Sequence, residues 1–397
     1  MDIERTLEQA VFDPELADAG KDAILETVDR FVADRLETVA ASIDVSDEFP
    51  TALMKEAGQL GFFALAIPEQ YGGIGARLLT QFLVTERLSR SSPSFALSYS
   101  TAPDAIVSLQ LAGSEALKAE YLPGIAEGNI RPALALTEPS GGSDLAAIRT
   151  TATKTGDGYS ISGNKAWCTH GSIADFIIVF AKTDENSGSK GLSAFVVRKG
   201  STGLSMDRNE KLIGLRGCPN NPVNFEEVAA NASDLIGEVG QGFRLAAWTL
   251  DEARLNAAAQ GLGVAYRCLK EAIAYAGQRN AFGKPIIQHQ GVQFLLAELV
   301  TEMSAARALW IQAILELERG RTRRSSTFAS MAKNACTAIG VRAALEAIQI
   351  FGAIGLSKEF VLERFLRDSK AFQIFDGPTQ IQNMIIGRSL ERDGLPF

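Results

Sequence analysis

Apolar residues recur at two different periods along this chain, and the change of period divides it into three zones. In residues 1–132 the spacing is helical: "DAILETVDRFVADRLETVA" (22–40) and "LKAEYLPGIAEG" (117–128) place apolar side chains three and four apart. Turn signals such as "PEQYGGIG" (68–75) break these helices up. In residues 133–238 the texture becomes strand-like. "TTATKTGDGYSISG" (150–163) alternates around an Asp157-Gly158 pair, a hairpin signal, and "DFIIVFAKT" and "LSAFVVR" are short β-branched and aromatic runs. In residues 239–397 the helical period returns and lengthens. Positions 292, 295, 296, 299, 303, 306, 310, 314 and 317 form one apolar stripe, as a long bundle helix requires. The fold class predicted is an α+β composite: an N-terminal helical domain (1–132), a middle β domain (133–238) and a C-terminal helical bundle (239–397).

Composition narrows the function more than the fold. A net charge of -8 over 397 residues argues against a nucleic-acid partner, which needs a basic face. The one basic cluster, "RGRTRR" (319–324), reads equally as an anion site and as a solvated loop between helices. Cysteines at 168, 218, 268 and 336 have neither metal nor redox spacing, and with only two histidines no metal site is expected. Reduced cysteines, an acidic start without an apolar core, and apolar runs too short to span a bilayer ("GFFALAI", 61–67) together predict a cytoplasmic chain with no membrane partner.

The common phosphate loops are absent. "GQRNAFGKP" (277–285) has five residues between its glycines and Pro285 where a Walker loop needs Ser or Thr, and "GLGVAY" (261–266) lies inside a helical pattern. Four other stretches stand out: "LALTEPSGGSDLAAIRTTA" (134–152), "GNKAWCTHGSIADFIIVFAKT" (163–183), "LDEARLNAAAQGLGVAYRCLKEAIAYAGQRNAFGKPIIQHQ" (250–290) and "QIFGAIGLSKEFVLERFLRDSKAFQIFDGPTQIQ" (349–382). In this order and spacing they resemble the acyl-CoA dehydrogenase family, and the resemblance runs from "LGFFALAIPEQYGGIG" to the C-terminus.

The resemblance implies a helical domain, a β domain and a four-helix bundle, assembled as a homotetramer that binds FAD between sheet and bundle. It implies flavin and cofactor contacts from Leu136, Thr137, Gly142, Ser143, Trp167 and Thr169. Arg279, Phe282, Gln290, Gln349 and Gly352 match positions reaching the FAD of a neighbouring subunit, and Thr379 and Gln380 match its adenine side. Ser143, Asp251 and Arg254 match positions along the acyl-CoA thioester and pantetheine. Taken alone, the Gly-Ser stretch reads as an interdomain loop, Trp167 as core, Arg279 as a helix-end cap, and Asp251 with Arg254 as a surface ion pair.

The family removes an α-proton from an acyl thioester while hydride leaves the β-carbon for flavin N5, and passes electrons to an electron-transferring flavoprotein. Its base is usually a Glu immediately before a Gly; here "FDGPTQI" puts Asp376 in that place, one methylene, about 1.5 Å, short. A second lineage places the Glu where this chain has Ala253, and Glu252, one residue away, faces about 100° around the helix. Asp376 is therefore the candidate base. An Asp base also occurs in the family's nitroalkane oxidases, so a flavin oxidase of the same fold and a non-catalytic thioester-binding flavoprotein stand as alternatives. The segment expected to line the acyl pocket, "FALSYSTAPDAIVSL" (95–109), carries Ser98, Ser100, Thr101 and Asp104, which favours a short, branched or polar acyl group on CoA or a carrier protein.

Overall fold

The computed structural model describes residues 20–396; most of the acidic N-terminal stretch read above lies outside the described residues. The first helical layer comprises α1 (Lys21–Phe31), which runs through a π turn into α2 (Glu37–Ser46), then α3 (Thr51–Gln59), α4 (Leu78–Ser89), α5 (Pro93–Ala112) and α6 (Glu115–Ala126). Ser92 caps α5 by accepting from the Phe95 amide at 3.2 Å, with Pro93 at the first helical position, where its missing N–H costs nothing.

An eight-stranded sheet forms the middle layer: β1 (Pro132–Ala135), β2 (Thr151–Thr155), β3 (Gly158–Thr169), β4 (Phe176–Lys182), β5 (Leu192–Arg198), β6 (Leu204–Met206), β7 (Asn220–Asn231) and β8 (Leu235–Ile236). Their order is β6-β7-β3-β2-β4-β5-β8, with β1 parallel to β4. β4 is buried on both faces, which is why its sequence is a continuous apolar run. Phe176, Ile178 and Phe180 pack towards Tyr121 and Leu109 of the helical layer, while Ile177 and Val179 pack with Phe195 and Phe225 on the other face. The β2–β3 hairpin turns one residue earlier than its sequence suggests. Thr155 pairs with Gly158, and Gly156, at φ 56°, takes the left-handed position.

The third layer is α7 (Gly242–Gln278), the small ribbon β9 (Asn280–Ala281) and β10 (Lys284–Pro285), α8 (Gln290–Arg319), α9 (Arg323–Phe351), α10 (Leu362–Phe372) and α11 (Thr379–Asp393). Gly261 sits where α7 and α9 cross: a Cβ there would meet the Cys336 carbonyl at 2.5 Å, so the glycine serves close helix packing. The predicted α8 stripe is observed, with Leu296, Leu299, Met303, Ala306, Trp310, Ile314 and Leu317 all buried. The two helical zones are continuous in space, because α1–α5 and the bundle share one hydrophobic core. Inside it, fully buried Glu86 is paired with Arg90 and Arg307; despite the burial that opposes ionisation, the two guanidiniums hold its carboxyl at about 2.

The "RGRTRR" stretch is solvated in part: Arg319, Thr322, Arg323 and Arg324 are exposed, while Arg321 bonds Glu252 and the Trp248 carbonyl and Arg324 pairs with Glu316. One expectation is corrected here. The stretch Arg323–Leu356 is long and apolar enough by composition to cross a bilayer. Its apolar positions, including Phe328, Ala329, Ala332, Cys336 and Ile339, are buried in the shared core.

Candidate active site

The Asp-Gly-Pro sequence between α10 and α11 forms a turn held from two sides. Asp376 (φ 52°) and Gly377 (φ 88°) are consecutive left-handed residues, a conformation that Asp tolerates better than most side chains and Gly adopts freely. Lys333, 1% exposed on α9, donates from Nζ to the Phe375 carbonyl and, at 2.6 Å, to that of Gly377. Fully buried Gln382 donates from Nε2 to the carbonyls of Asp376 (3.0 Å) and Gly377 (2.7 Å). Three successive carbonyls are thereby fixed, while the Asp376 carboxylate accepts no hydrogen bond among the described residues.

That carboxylate is poised between opposing influences. Burial raises its pKa above the ordinary value, against the pull of Lys333 and Arg254. The same burial lowers the Lys333 ammonium to about 8, although Asp376 favours its charge. Arg254 and Asp251, one helical turn apart on α7, are a buried pair rather than a surface one. Arg254 Nη1 donates to Asp251 Oδ1 at 2.6 Å, and Ser326 donates to Asp251 Oδ2. Arg254 Nε is buried and has no partner among the described residues, a donor left over for a ligand.

Asp104, on α5, belongs to the same electrostatic site. Burial first, and then the charge of Asp376, raise its carboxyl well above the usual range. Its Oδ1 accepts from Asn256 at 2.6 Å, and Asn256 in turn accepts from Thr85 at 2.8 Å. Ser100 accepts from Gln260 at 3.1 Å, and Ser98 is buried. The polar residues singled out in this segment therefore face protein rather than solvent. Glu252 points into a different cavity of about 720 Å³, lined also by Arg77, Gln110 and Arg321, as its place on the helix predicts.

The middle-domain candidates meet at one edge of the sheet. A bulge interrupts β3 between Lys165, opposite Val223, and Cys168, opposite Asn221. The extra residue turns Trp167 outward (φ 57°, 55% exposed), so it is not core. The Ala166 amide donates to the Thr137 carbonyl at 2.9 Å, bringing Leu136 and Thr137 beside Trp167. Thr169 accepts from Asn220 at 3.3 Å. Gly142 lies over Thr137, whose side chain a Cβ at 142 would meet at 3.1 Å, and Ser143 is exposed. Hydroxyl donors, open glycine backbone and an exposed indole side by side suit a planar cofactor rich in acceptors.

Arg279, Gln290, Gln349, Gly352 and Gln380 are exposed, Thr379 is half-buried, and Phe282, at φ 51°, is 96% exposed. Phe282 meets His289 edge-on, and Tyr275 stacks on Phe351 with centroids 4.1 Å apart, which brings the end of α7 to the end of α9.

The order of helices, sheet and helices places a hydroxyl-rich sheet edge and a buried Asp-Lys-Arg pocket in one fold, and comparison with known proteins puts that fold among the flavin-dependent oxidoreductases. The chain belongs to the acyl-CoA dehydrogenase family. Profiles described as its N-terminal, middle and C-terminal domains match residues 19–129, 133–228 and 240–391. Members bind FAD and oxidise the CH–CH group of acyl-CoA. The chain is 37% identical over 368 residues to a cyclohex-1-ene-1-carbonyl-CoA dehydrogenase of Syntrophus aciditrophicus (92% of this chain, 89% of the relative). It is 38% identical over 362 residues to an acyl-CoA dehydrogenase of Bacillus subtilis (91% and 95%). The butyryl-CoA dehydrogenase structure from Megasphaera elsdenii superposes with a TM-score of 0.91 at 32% identity, covering 94% of this chain and 98% of that one.

Sequence reasoning missed the residues that hold the site together: Lys333, Gln382, Asn256, and the buried pair Glu138 and Lys165. Lys333 left a trace, as a cation on the apolar stripe Ala329, Ala332, Cys336 and Ile339 of α9.

Proposed function

We propose that this chain dehydrogenates a short, branched or polar acyl thioester between its α and β carbons, with Asp376 as the base. The observation that carries this reading is the pinned turn: a carboxylate free of hydrogen bonds, beside Lys333 and Arg254, at the position where the family places its Glu. Asp376 takes the α-proton, and Lys333 and Gln382 act on its backbone, so that the carboxylate stays in place while its charge changes. Arg254, held by Asp251, offers its free Nε to the pantetheine or thioester. Thr137, Gly142, Ser143, Trp167 and Thr169 hold the flavin, with Leu136 beside them. Bound FAD supplies the acceptor for the β-hydride. The exposed set Arg279, Phe282, Gln290, Gln349 and Gly352 meets the cofactor of a second subunit in a homotetramer, and Thr379 with Gln380 meets the adenine side. An electron-transferring flavoprotein reoxidises the flavin.

Asp104 supports the compact, polar substrate class. A buried carboxyl with a raised pKa is a hydrogen-bond donor as well as an acceptor, unlike the apolar wall a long alkyl chain needs. The Asp104→Leu variant is expected to shift the ratio of kcat/KM by about tenfold towards straight-chain acyl-CoA and away from hydroxylated or branched esters. A profile already peaking at long straight chains in the wild type sinks this substrate class. If no thioester bleaches the flavin but a nitroalkane consumes oxygen, the Asp base serves an oxidase instead.

A further inference from the structure

Glu138 and Lys165 are buried titratable groups behind the sheet edge that the steps above do not use. Glu138 is 4% exposed, and Lys165 is fully buried. Glu138 is a hub. Its Oε1 accepts from the Thr150 amide (2.8 Å), the Thr150 hydroxyl (2.6 Å) and Lys165 Nζ (3.0 Å). Its Oε2 accepts from the Arg149 amide (2.8 Å) and the Ser140 hydroxyl (3.5 Å). Lys165 also donates to the Leu136 carbonyl at 3.0 Å. Gly163 leaves room for this arrangement, since a Cβ there would meet the Thr150 hydroxyl at 2.6 Å. One ion pair thus ties three pieces of chain together: the loop 136–140, the segment 149–150, and β3 just before the bulge that turns Trp167 outward.

We propose that Glu138 and Lys165 are a positioning pair that fixes the flavin-facing loop and sets the electrostatic potential at the bound flavin. The proposal rests on the assignment of Leu136–Ser143, Trp167 and Thr169 to the flavin site. A hub accepting five donors fixes backbone geometry that a neutral side chain cannot reproduce, because an amide in its place would set its own N–H groups against other donors. The two charges also lie within a few residues of every middle-domain flavin candidate, in a dry environment where screening is weak. Reduction adds negative charge to the flavin, so the ammonium favours the reduced state and the carboxylate opposes it. Burial lowers the pKa of the Lys165 ammonium, against the pull of Glu138.

The test uses the FAD-loaded protein with Glu138→Gln, Lys165→Met and the double variant, and reads flavin midpoint potential by dye equilibration and FAD affinity by fluorescence. At a pH low enough to keep Lys165 charged without its partner, Lys165→Met is expected to lower the potential, Glu138→Gln to raise it, and the double variant to return near the wild type. Each single variant weakens FAD binding by about tenfold through its lost charge-assisted bonds. In the wild type, the potential plotted against pH shows a break from the Lys165 ammonium, whose pKa burial lowers, and the double variant lacks that break; this comparison decides the matter even where a single variant does not fold. A purely structural pair lowers thermal stability and leaves the potential unmoved. Shifts of the same sign in both single variants, or an unchanged break in the double variant, overturn the proposal. Thr137→Ala separates the levels: unaltered FAD affinity there moves the flavin site elsewhere and removes this proposal with it.

Discussion

The Asp376→Asn variant stays yellow when mixed anaerobically with an acyl-CoA that bleaches the wild-type flavin, its reduction slowed by about 10²–10⁴-fold, as loss of a general base dictates. The substitution isolates the chemistry because almost nothing else changes. Asn has the shape of Asp and tolerates the left-handed φ of 52° equally well. The bonds holding the turn run from Lys333 and Gln382 to backbone carbonyls, so none is lost with the carboxylate. Stability and FAD content therefore stay near wild type while proton abstraction fails. Asp376→Glu keeps a carboxylate and extends it by about 1.5 Å; it retains bleaching where Asn does not. Near-wild-type reduction in Asp376→Asn removes Asp376 from the reaction.

Lys333→Met is the second large effect, and it acts through position rather than stability. The ammonium is the donor to the Phe375 carbonyl and shares that of Gly377 with Gln382. Without it the turn is held from one side, and displacement of a catalytic group by about 1 Å costs roughly 100-fold in rate. Stability changes less, because the burial cost removed with the ammonium offsets the donor lost by Phe375. Two pH signatures accompany the change. Burial depresses the Lys333 pKa from 10.5 to about 8, so the folded protein binds this proton less tightly than the unfolded chain. Wild-type stability accordingly gains an increment as pH rises from about 8 to 10.5, and the variant lacks it. Lys333 also lowers the pKa of Asp376; its loss raises that pKa, and the acid limb of flavin reduction moves to higher pH. Wild-type reduction rates in Lys333→Met, with an unmoved acid limb, contradict this role.

Most of the architecture was legible because it follows from periodicity. The α8 stripe and the continuous apolar run of β4 each depend on neighbours a few residues away. The turn at Asp376 is a local event that Asp, Gly and Pro favour, and its reading as a base came only with the family resemblance. The β2–β3 turn slipped by one residue because Gly156 and Gly158 both permit a left-handed position, and strand register chose the former. The bulge that exposes Trp167 depends on β7 pairing, which no local pattern carries. The supporting residues were hidden for a stronger reason. Lys165, Glu138, Lys333 and Asn256 find their partners 27, 42 or 152 positions away in the chain, so their roles exist only once the layers meet. The sequence marks such residues only as polar interruptions of an apolar face, like Lys165 four residues after buried Ile161 on β3.

The most direct test of acyl thioester dehydrogenation is an anaerobic titration of the FAD-loaded wild-type protein with a panel of acyl-CoA esters, following the flavin's visible absorbance. The expected result is stoichiometric bleaching by at least one short, branched or hydroxylated ester, release of the corresponding enoyl-CoA, and recovery of colour on adding an electron-transferring flavoprotein. A flavin that stays oxidised with every thioester, in a protein that consumes oxygen with a nitroalkane or binds CoA esters without turnover, contradicts it.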